Sequence, residues 1–218
     1  MSDDRFAEDL DALLQKISSG ESNLIAKKLA TIKSRLVDLY RENLVKINHS
    51  VMELLCAKLL ILKGYDVQVE LPITDLLVCD LFGTKGDGRT IVEIETGFVP
   101  PEHALDPGSY YQARVISKIA RYSAFCEKFS LGTPPLSILP IPRFLERPAR
   151  YRETAEIKKA KALCDSYYKN PPVELEDIQR ARVHSIFLID VDRGQAREID
   201  IETYLESFVK DWMGSTST

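Results

Sequence analysis

Cys79-Asp80-Leu81-Phe82-Gly83-Thr84-Lys85-Gly86-Asp87-Gly88-Arg89-Thr90-Ile91-Val92-Glu93-Ile94-Glu95-Thr96-Gly97 reads as two strands joined by a tight turn. The run from Leu76 to Phe82 is apolar and broken once, by Asp80. Gly83, Gly86, Asp87 and Gly88 supply turn residues, because Gly and Asp tolerate positive φ. From Thr90 to Thr96 the chain is rich in β-branched residues, which predicts a second strand. Side chains alternate along a strand, so Ile91, Glu93 and Glu95 share one face and Val92, Ile94 and Thr96 the other. Pairing of the two strands brings Asp80 beside the two glutamates. Three crowded carboxylates repel unless a cation neutralises them, and an all-oxygen cluster suits Mg²⁺ or Mn²⁺. A solvated strand face also carries alternating glutamates, so the flanking sequence has to separate the two readings.

Upstream, residues 3–17 form an amphipathic helix with Phe6, Leu10, Leu13, Leu14 and Ile17 on one side. A second helix is expected over residues 22–46, where Ile25, Leu29, Ile32, Leu36 and Leu39 make a continuous stripe. That stripe is either a dimer seam or a face packed on its own domain. A third helix covers residues 48–63 and stops at Gly64, with Glu53 as the one acid of its first half. Tyr65 to Leu71 alternates apolar and polar residues and reads as a half-exposed strand ending at Pro72.

Downstream, a Pro-rich loop over residues 100–108 leads to a helix expected over residues 109–129. Arg114, Lys118 and Arg121 line one of its faces. Leu136 to Pro142 is expected as a core strand, with its prolines at an edge or end. Residues 143–161 carry Arg143, Arg147, Arg150 and Arg152 with three lysines against three glutamates, interleaved with Tyr151. This is a candidate nucleic-acid patch, alongside the plainer reading of a solvated helix with paired charges. A helix from Glu153 to Tyr168, a buried strand from His184 to Val191, and a final helix opened by Glu198 or Asp200 complete the chain. That last helix packs through Ile201, Tyr204, Leu205, Phe208, Val209 and Trp212, and residues 214–218 form a disordered tail. His49 and His103 read as bystanders.

The 218 residues are 44% hydrophobic and 28% charged, which allows a sizeable core. A net charge of −4 leaves room for nucleic acid only at a local basic patch. Cys56, Cys79, Cys126 and Cys164 contain no C-x-x-C pair, which argues against zinc and for a reducing, cytoplasmic setting. The acidic N-terminus lacks an apolar signal region, and no long apolar run crosses a membrane.

Taken together, these acids in this order of elements resemble the PD-(D/E)xK nuclease superfamily, including its RecB-like and Holliday-junction-resolvase-like members. The resemblance covers residues 48–142, slightly under half of the chain, and rests on short motifs. It implies an α/β fold: a restriction-endonuclease-like core over residues 48–213, a central mixed sheet flanked by helices, with residues 1–47 as an N-terminal helical extension. Glu53 matches the acid of the first core helix, Asp80 the aspartate of the second strand, and Glu93 the first acid of the (D/E)xK signature. Glu95 stands where lysine is expected, and Lys118 matches a lysine that has migrated to the following helix.

The implied activity is metal-dependent hydrolysis of DNA phosphodiester bonds, on branched or recombination intermediates. Asp80, Glu93 and the Ile94 carbonyl would hold one Mg²⁺ or Mn²⁺, with Glu53 helping a second ion. Glu95 would orient or deprotonate water, and Lys118, or less favourably Arg114, would stabilise the transition state. DNA is the implied partner, contacted by Arg114, Arg121, Arg143, Arg147, Arg150 and Arg152, and a homodimer is expected because cutting two strands needs two sites. The alternatives are a non-catalytic DNA-binding or assembly protein on a nuclease-like fold, and a helical oligomerisation protein with acids as surface decoration.

Overall fold

A computed structural model of the chain describes residues 2–45 and 47–207. Three helices come first: α1 (Ser2–Ser18), α2 (Asn23–Arg41) and α3 (Ile47–Leu62). Three strands follow: β1 (Asp66–Pro72), β2 (Val78–Lys85) and β3 (Gly88–Ile94). Helix α4 (Pro107–Tyr122) leads to β4 (Lys128–Thr133), and α5 (Thr154–Tyr167) and α6 (Leu175–Arg180) precede the last strands. These are β5 (Ser185–Asp190) and β6 (Gln195–Asp200), and a seventh helix, α7, begins over residues 201–207.

The six strands form one sheet in sequence order. β3, β4 and β5 run parallel, and the outer pairs β1–β2, β2–β3 and β5–β6 are antiparallel. The chain is therefore α/β with an open mixed sheet covered on both faces. On one face α1, α2 and α3 bury Phe6, Leu10, Leu29, Leu36, Leu54 and Leu55 against Val92, Ile94 and Phe187. On the other, α4 to α7 bury Ile116, Ile119, Ile157 and Tyr204 against Ile91, Phe129 and Ile186. The alternation expected along β3 holds, since Ile91 and Val92 fall into opposite clusters.

The stripe on α2 is buried within the chain's own core at Leu29, Ile32, Leu36 and Leu39, so it lends no support to a dimer seam. Residues 1–47, expected as an extension, contribute α1 and α2 to the same apolar cluster as α3 and the sheet. The α2 helix also stops short of its expected end. Asn43 takes φ 58, its N–H donates to the Tyr40 carbonyl, and the Leu44 N–H reaches back to Leu39. That left-handed cap is open to Asn because its short polar side chain tolerates the conformation.

Three expectations downstream are corrected. The helix expected to run to residue 129 ends at Tyr122, and Lys128–Thr133 is instead the fourth strand. Leu136 to Pro142 is irregular, with Leu136 97% exposed. A strand between β3 and β5 must donate N–H groups to both neighbours, which Pro140 and Pro142 cannot do. Residues 195–200 form edge strand β6 rather than opening the last helix; Asp200 does cap that helix, accepting from the Thr203 N–H at 2.8 Å. Phe208, Val209, Trp212 and the tail 214–218 lie outside the described residues. The hairpin turn is shorter than expected: β2 extends through Gly83 to Lys85, Lys85 pairs with Gly88, and Gly86 turns at φ 57. No helix among the described residues is long and apolar enough to cross a membrane.

Candidate active site

The β2–β3 ladder runs as far as Leu81 opposite Val92 and then opens. Asp80 and Glu93 are the next residues on each strand. The Asp80 N–H donates to Glu93 Oε1 at 3.0 Å, and the Ile94 N–H donates to Asp80 Oδ2. Each carboxylate thus takes a backbone donor from the opposite strand, so the strands part without leaving buried N–H groups unpaired. On the other side of β2 the regular pairing with β1 skips Glu70, which takes φ 48. A β-strand residue in the left-handed region marks local strain, here beside Asp80. The distortion also changes the facing of β2: Cys79 and Leu81 should share a face, yet they fall in opposite clusters. Asp80 sits at that crossover, between the two helical layers.

From the first layer α3 presents His49 and Glu53, one helical turn apart. Ligand atoms of His49, Glu53 and Asp80 lie within 4.8 Å of one another. Glu53 is fully buried, and neither carboxylate oxygen has a hydrogen-bond partner. Burial pushes its pKa well above the usual carboxylate range, and the charges of Asp80, Glu70 and Glu93 push it further. The His49 imidazole is lowered, chiefly by burial. Burial and the Asp80 charge raise Glu70 to about 7.

From the second layer α4 presents Arg114 and Lys118. Asp106 caps this helix by accepting from the Ser109 N–H, and Pro107 opens it. Lys118 Nζ lies 3.0 Å from Glu93, 3.0 Å from Glu95 and 3.5 Å from Asp80, and it donates to the Ile94 carbonyl at 2.9 Å. Arg114 Nε donates to Glu95 at 3.0 Å. Burial works against the Lys118 ammonium, but Asp80, Glu93 and Glu95 outweigh it and hold its pKa well above the ordinary lysine value. Lys118 is therefore a fixed cation and not a base. Glu93 is raised to about 8, by burial first and the Asp80 charge second, against the pull of Lys118. The Arg114 guanidinium is likewise held cationic: the Glu95 charge and hydrogen bond override its burial.

Neither a family model, nor a curated protein, nor a solved structure matches this chain. The reading of the site therefore rests on its own chemistry.

The candidate acids Glu53, Asp80, Glu93 and Glu95 and the candidate cations Lys118 and Arg114 of the sequence reading meet here. Their grouping differs from the expected one. Glu53 and Asp80 cluster with His49, while Glu93 and the Ile94 carbonyl are engaged by Lys118. His49, read from the sequence as a bystander, is part of the site, and Glu70 went unremarked. The His49-x-x-x-Glu53 spacing was the available signal, because residues four apart share a helix face.

The cationic residues expected to meet nucleic acid are scattered. Arg114 is occupied by Glu95, and Arg121 donates to the Pro171 carbonyl at 2.6 Å and lies over the Tyr168 ring. Arg147 pairs with Glu156. Arg152 is 8% exposed and bonds the carbonyls of Leu145, Arg147, Ile178 and Gln179, so it cannot belong to an open surface patch. Arg143 and Arg150 are exposed, and Arg150 stacks on Tyr151. In the stretch 143–161, Arg147 and Lys161 are ion-paired and Arg152 is buried, while Arg143, Arg150, Lys158 and Lys159 are exposed.

Proposed function

We propose that the chain is a divalent-metal-dependent nuclease hydrolysing DNA phosphodiester bonds on a restriction-endonuclease-like core. The observation that carries the proposal is the buried Glu53 carboxylate, unpartnered and grouped with Asp80 and His49, beside a lysine held by Glu93 and Glu95. A buried carboxylate without a donor is unstable as an anion unless a cation is nearby. Oxygen ligands from Glu53 and Asp80 with one imidazole fit Mn²⁺, and Mg²⁺ with less help from His49. Such an ion, when bound, would lower the pKa of water and offset charge on the phosphoryl oxygens.

The chain's own groups would do the rest. Glu93 and Glu95 hold the Lys118 ammonium, which is then directed at charge developing on a phosphate. With Arg114 and Lys118 both bound to it, Glu95 is suited to positioning Lys118 more than to taking a proton. The order helix, three strands, helix, strand from α3 to β4 and the parting of β2 from β3 at Asp80 support the restriction-endonuclease-like reading.

The test is cleavage of duplex, branched and single-stranded DNA with Mg²⁺ or Mn²⁺, beside Asp80→Asn. Cutting that requires the ion and disappears in the variant supports the nuclease. The double tie on Glu95 favours one rival, a DNA-binding protein without turnover. Binding of DNA with no cutting under any of these ions would overturn the nuclease in its favour.

A further inference from the structure

A second concentration of charge lies away from the acids, at the start of β5. A cavity of about 570 Å³ is lined there by Arg147, Arg152, Arg180, Arg182 and His184, with Glu146 as the acid in its wall. Its size lies in the range of small-molecule sites. Residues 180–184 alternate outward and inward: Ala181 and Val183 are buried, while Arg180 and Arg182 are exposed and His184 is half-buried. Arg182 and His184 therefore share one side of an extended segment, and Arg180, the last residue of α6, precedes it at the same cavity. The segment is pinned, because the Arg182 N–H donates to Ser123 Oγ at 3.0 Å and the His184 N–H to the Phe129 carbonyl at 2.9 Å.

Arg152 sets this cavity apart from an ordinary solvated cluster. It is more than nine-tenths buried, all of its bonds go to backbone carbonyls, and no carboxylate neutralises it. Burial and the nearby Arg147 charge both press its pKa down. Arg147 is balanced by Glu156, but Arg180 and Arg182 have no ion-pair partner among the described residues. Carbonyl bonds orient a guanidinium without cancelling its charge, so three arginines at this cavity leave a positive excess that one glutamate does not offset. His184 Nδ1 meets the backbone of Phe129, 3.0 Å from its nitrogen and 3.3 Å from its carbonyl oxygen, so the ring is anchored to β4 through that atom.

We infer that this cavity binds a phosphate monoester, with the dianion held by the Arg180 and Arg182 guanidinium groups, while Arg152, whose four carbonyl bonds leave one N–H free, adds its charge from the cavity wall. Guanidinium forks match phosphate oxygens in pairs, and the remaining volume admits the organic part of a mononucleotide. The ester arises from two sources, a free mononucleotide or the phosphorylated end of a nucleic-acid strand. The inference does not depend on the nuclease reading, since it uses none of that site's residues.

The test is calorimetric titration, in EDTA, of the intact chain with inorganic phosphate, adenosine 5′-monophosphate and adenosine, beside the Arg180→Gln/Arg182→Gln double variant. Phosphate and the monophosphate are expected to saturate and adenosine not, with the monophosphate weakened about tenfold or more in the double variant. Competition by a 5′-phosphorylated but not a 5′-hydroxyl oligonucleotide identifies a strand end as the source, and no competition identifies the free ester. Equal behaviour of adenosine and its monophosphate, absence of saturable binding, or an unaffected double variant overturns the inference. Should the double variant misfold, the His184 ring resonances of the unaltered chain decide: a saturable shift with the monophosphate supports the site, and no shift overturns it.

Discussion

Glu53 holds both carboxylate oxygens in the interior with nothing donating to them, and its neighbours Asp80, Glu70 and Glu93 are acids. Its folded pKa lies well above the ordinary value of 4.5, and Glu93 is raised to about 8. Between those values the folded chain keeps protons that the unfolded chain has released. Metal-free stability should therefore fall as pH rises from about 4.5 through about 8. Glu53→Gln should remove part of that slope, stabilising the metal-free chain at pH 8 by about 1–3 kcal/mol while leaving pH 5 nearly unchanged. Thermal unfolding across that range checks it, and a parallel titration with Mn²⁺ should show the loss of binding in the variant. Lys118 is the other decisive residue. Under the nuclease reading Lys118→Met should lower the cleavage rate by roughly 10²-fold or more, because the other cation at the site, Arg114, is bound to Glu95 and has no contact with Asp80 or Glu93 among the described ion pairs. Single-turnover cleavage at saturating DNA would register it; an unchanged rate would remove Lys118 from the chemistry.

At the scale of elements, the site exists because α3 and α4 approach the sheet from opposite faces at the point where β2 leaves β3. The approach of α3 depends on Gly132 near the end of β4. A Cβ there would lie 2.9 Å from Ile189 Cδ1 and 3.0 Å from Ile94 Cδ1, with Cys56 Sγ of α3 at 3.7 Å. Gly132→Ala should therefore overpack the layer that carries Glu53, destabilising the chain by about 1–3 kcal/mol in urea unfolding. Gly88→Ala provides the contrast, since its added Cβ would meet only the Lys85 carbonyl at 3.4 Å. The strands around the turn were legible in the sequence because alternation and a Gly-Asp-Gly turn are local signals. β4 was not, because Lys128–Thr133 follows closely on an amphipathic helix, with only the short turn Ser123–Phe125 and then Cys126 and Glu127 between them. Apolar spacing over Phe125, Cys126 and Phe129 continues the helical pattern, and only the vacancy between β3 and β5 draws the segment into a strand.

Across the whole molecule Glu198 of edge strand β6 ties distant elements together. It pairs with Lys63 after α3 and with Lys128 of β4, and accepts from Ser185 of β5. Burial alone would raise it, but hydrogen bonds from Lys128, Lys63 and Ser185 prevail and hold it down at about 2. A carboxylate depressed in this way stabilises the fold above its unfolded value of 4.5, and that stability disappears as pH falls through about 2. Glu198→Gln should cost about 1–2 kcal/mol at pH 7, allowing for solvent screening of the lysines, and the difference should vanish below pH 2. Denaturant curves at the two pH values would show it.

The sequence by itself determined the helices of the N-terminal third, the hairpin, the alternation along β3 and the acids at Asp80, Glu93 and Glu95. Each of these follows from periodicity within a few residues. It also placed Lys118 on a cationic helix face with Arg114 and Arg121, though its catalytic role came only through a resemblance. Tertiary structure alone decided what those residues face. It brought His49 into the acidic cluster, set Glu70 against Asp80, and paired Arg114 with Glu95. It also withdrew Arg152 from the surface and gathered Arg180, Arg182 and His184 around it at one cavity. The physical reason is range. Periodicity reports which side of an element a residue occupies, whereas charge neutralisation and burial depend on which elements meet, and residues 49, 80 and 118 meet only when helices from both faces close on an opened pair of strands.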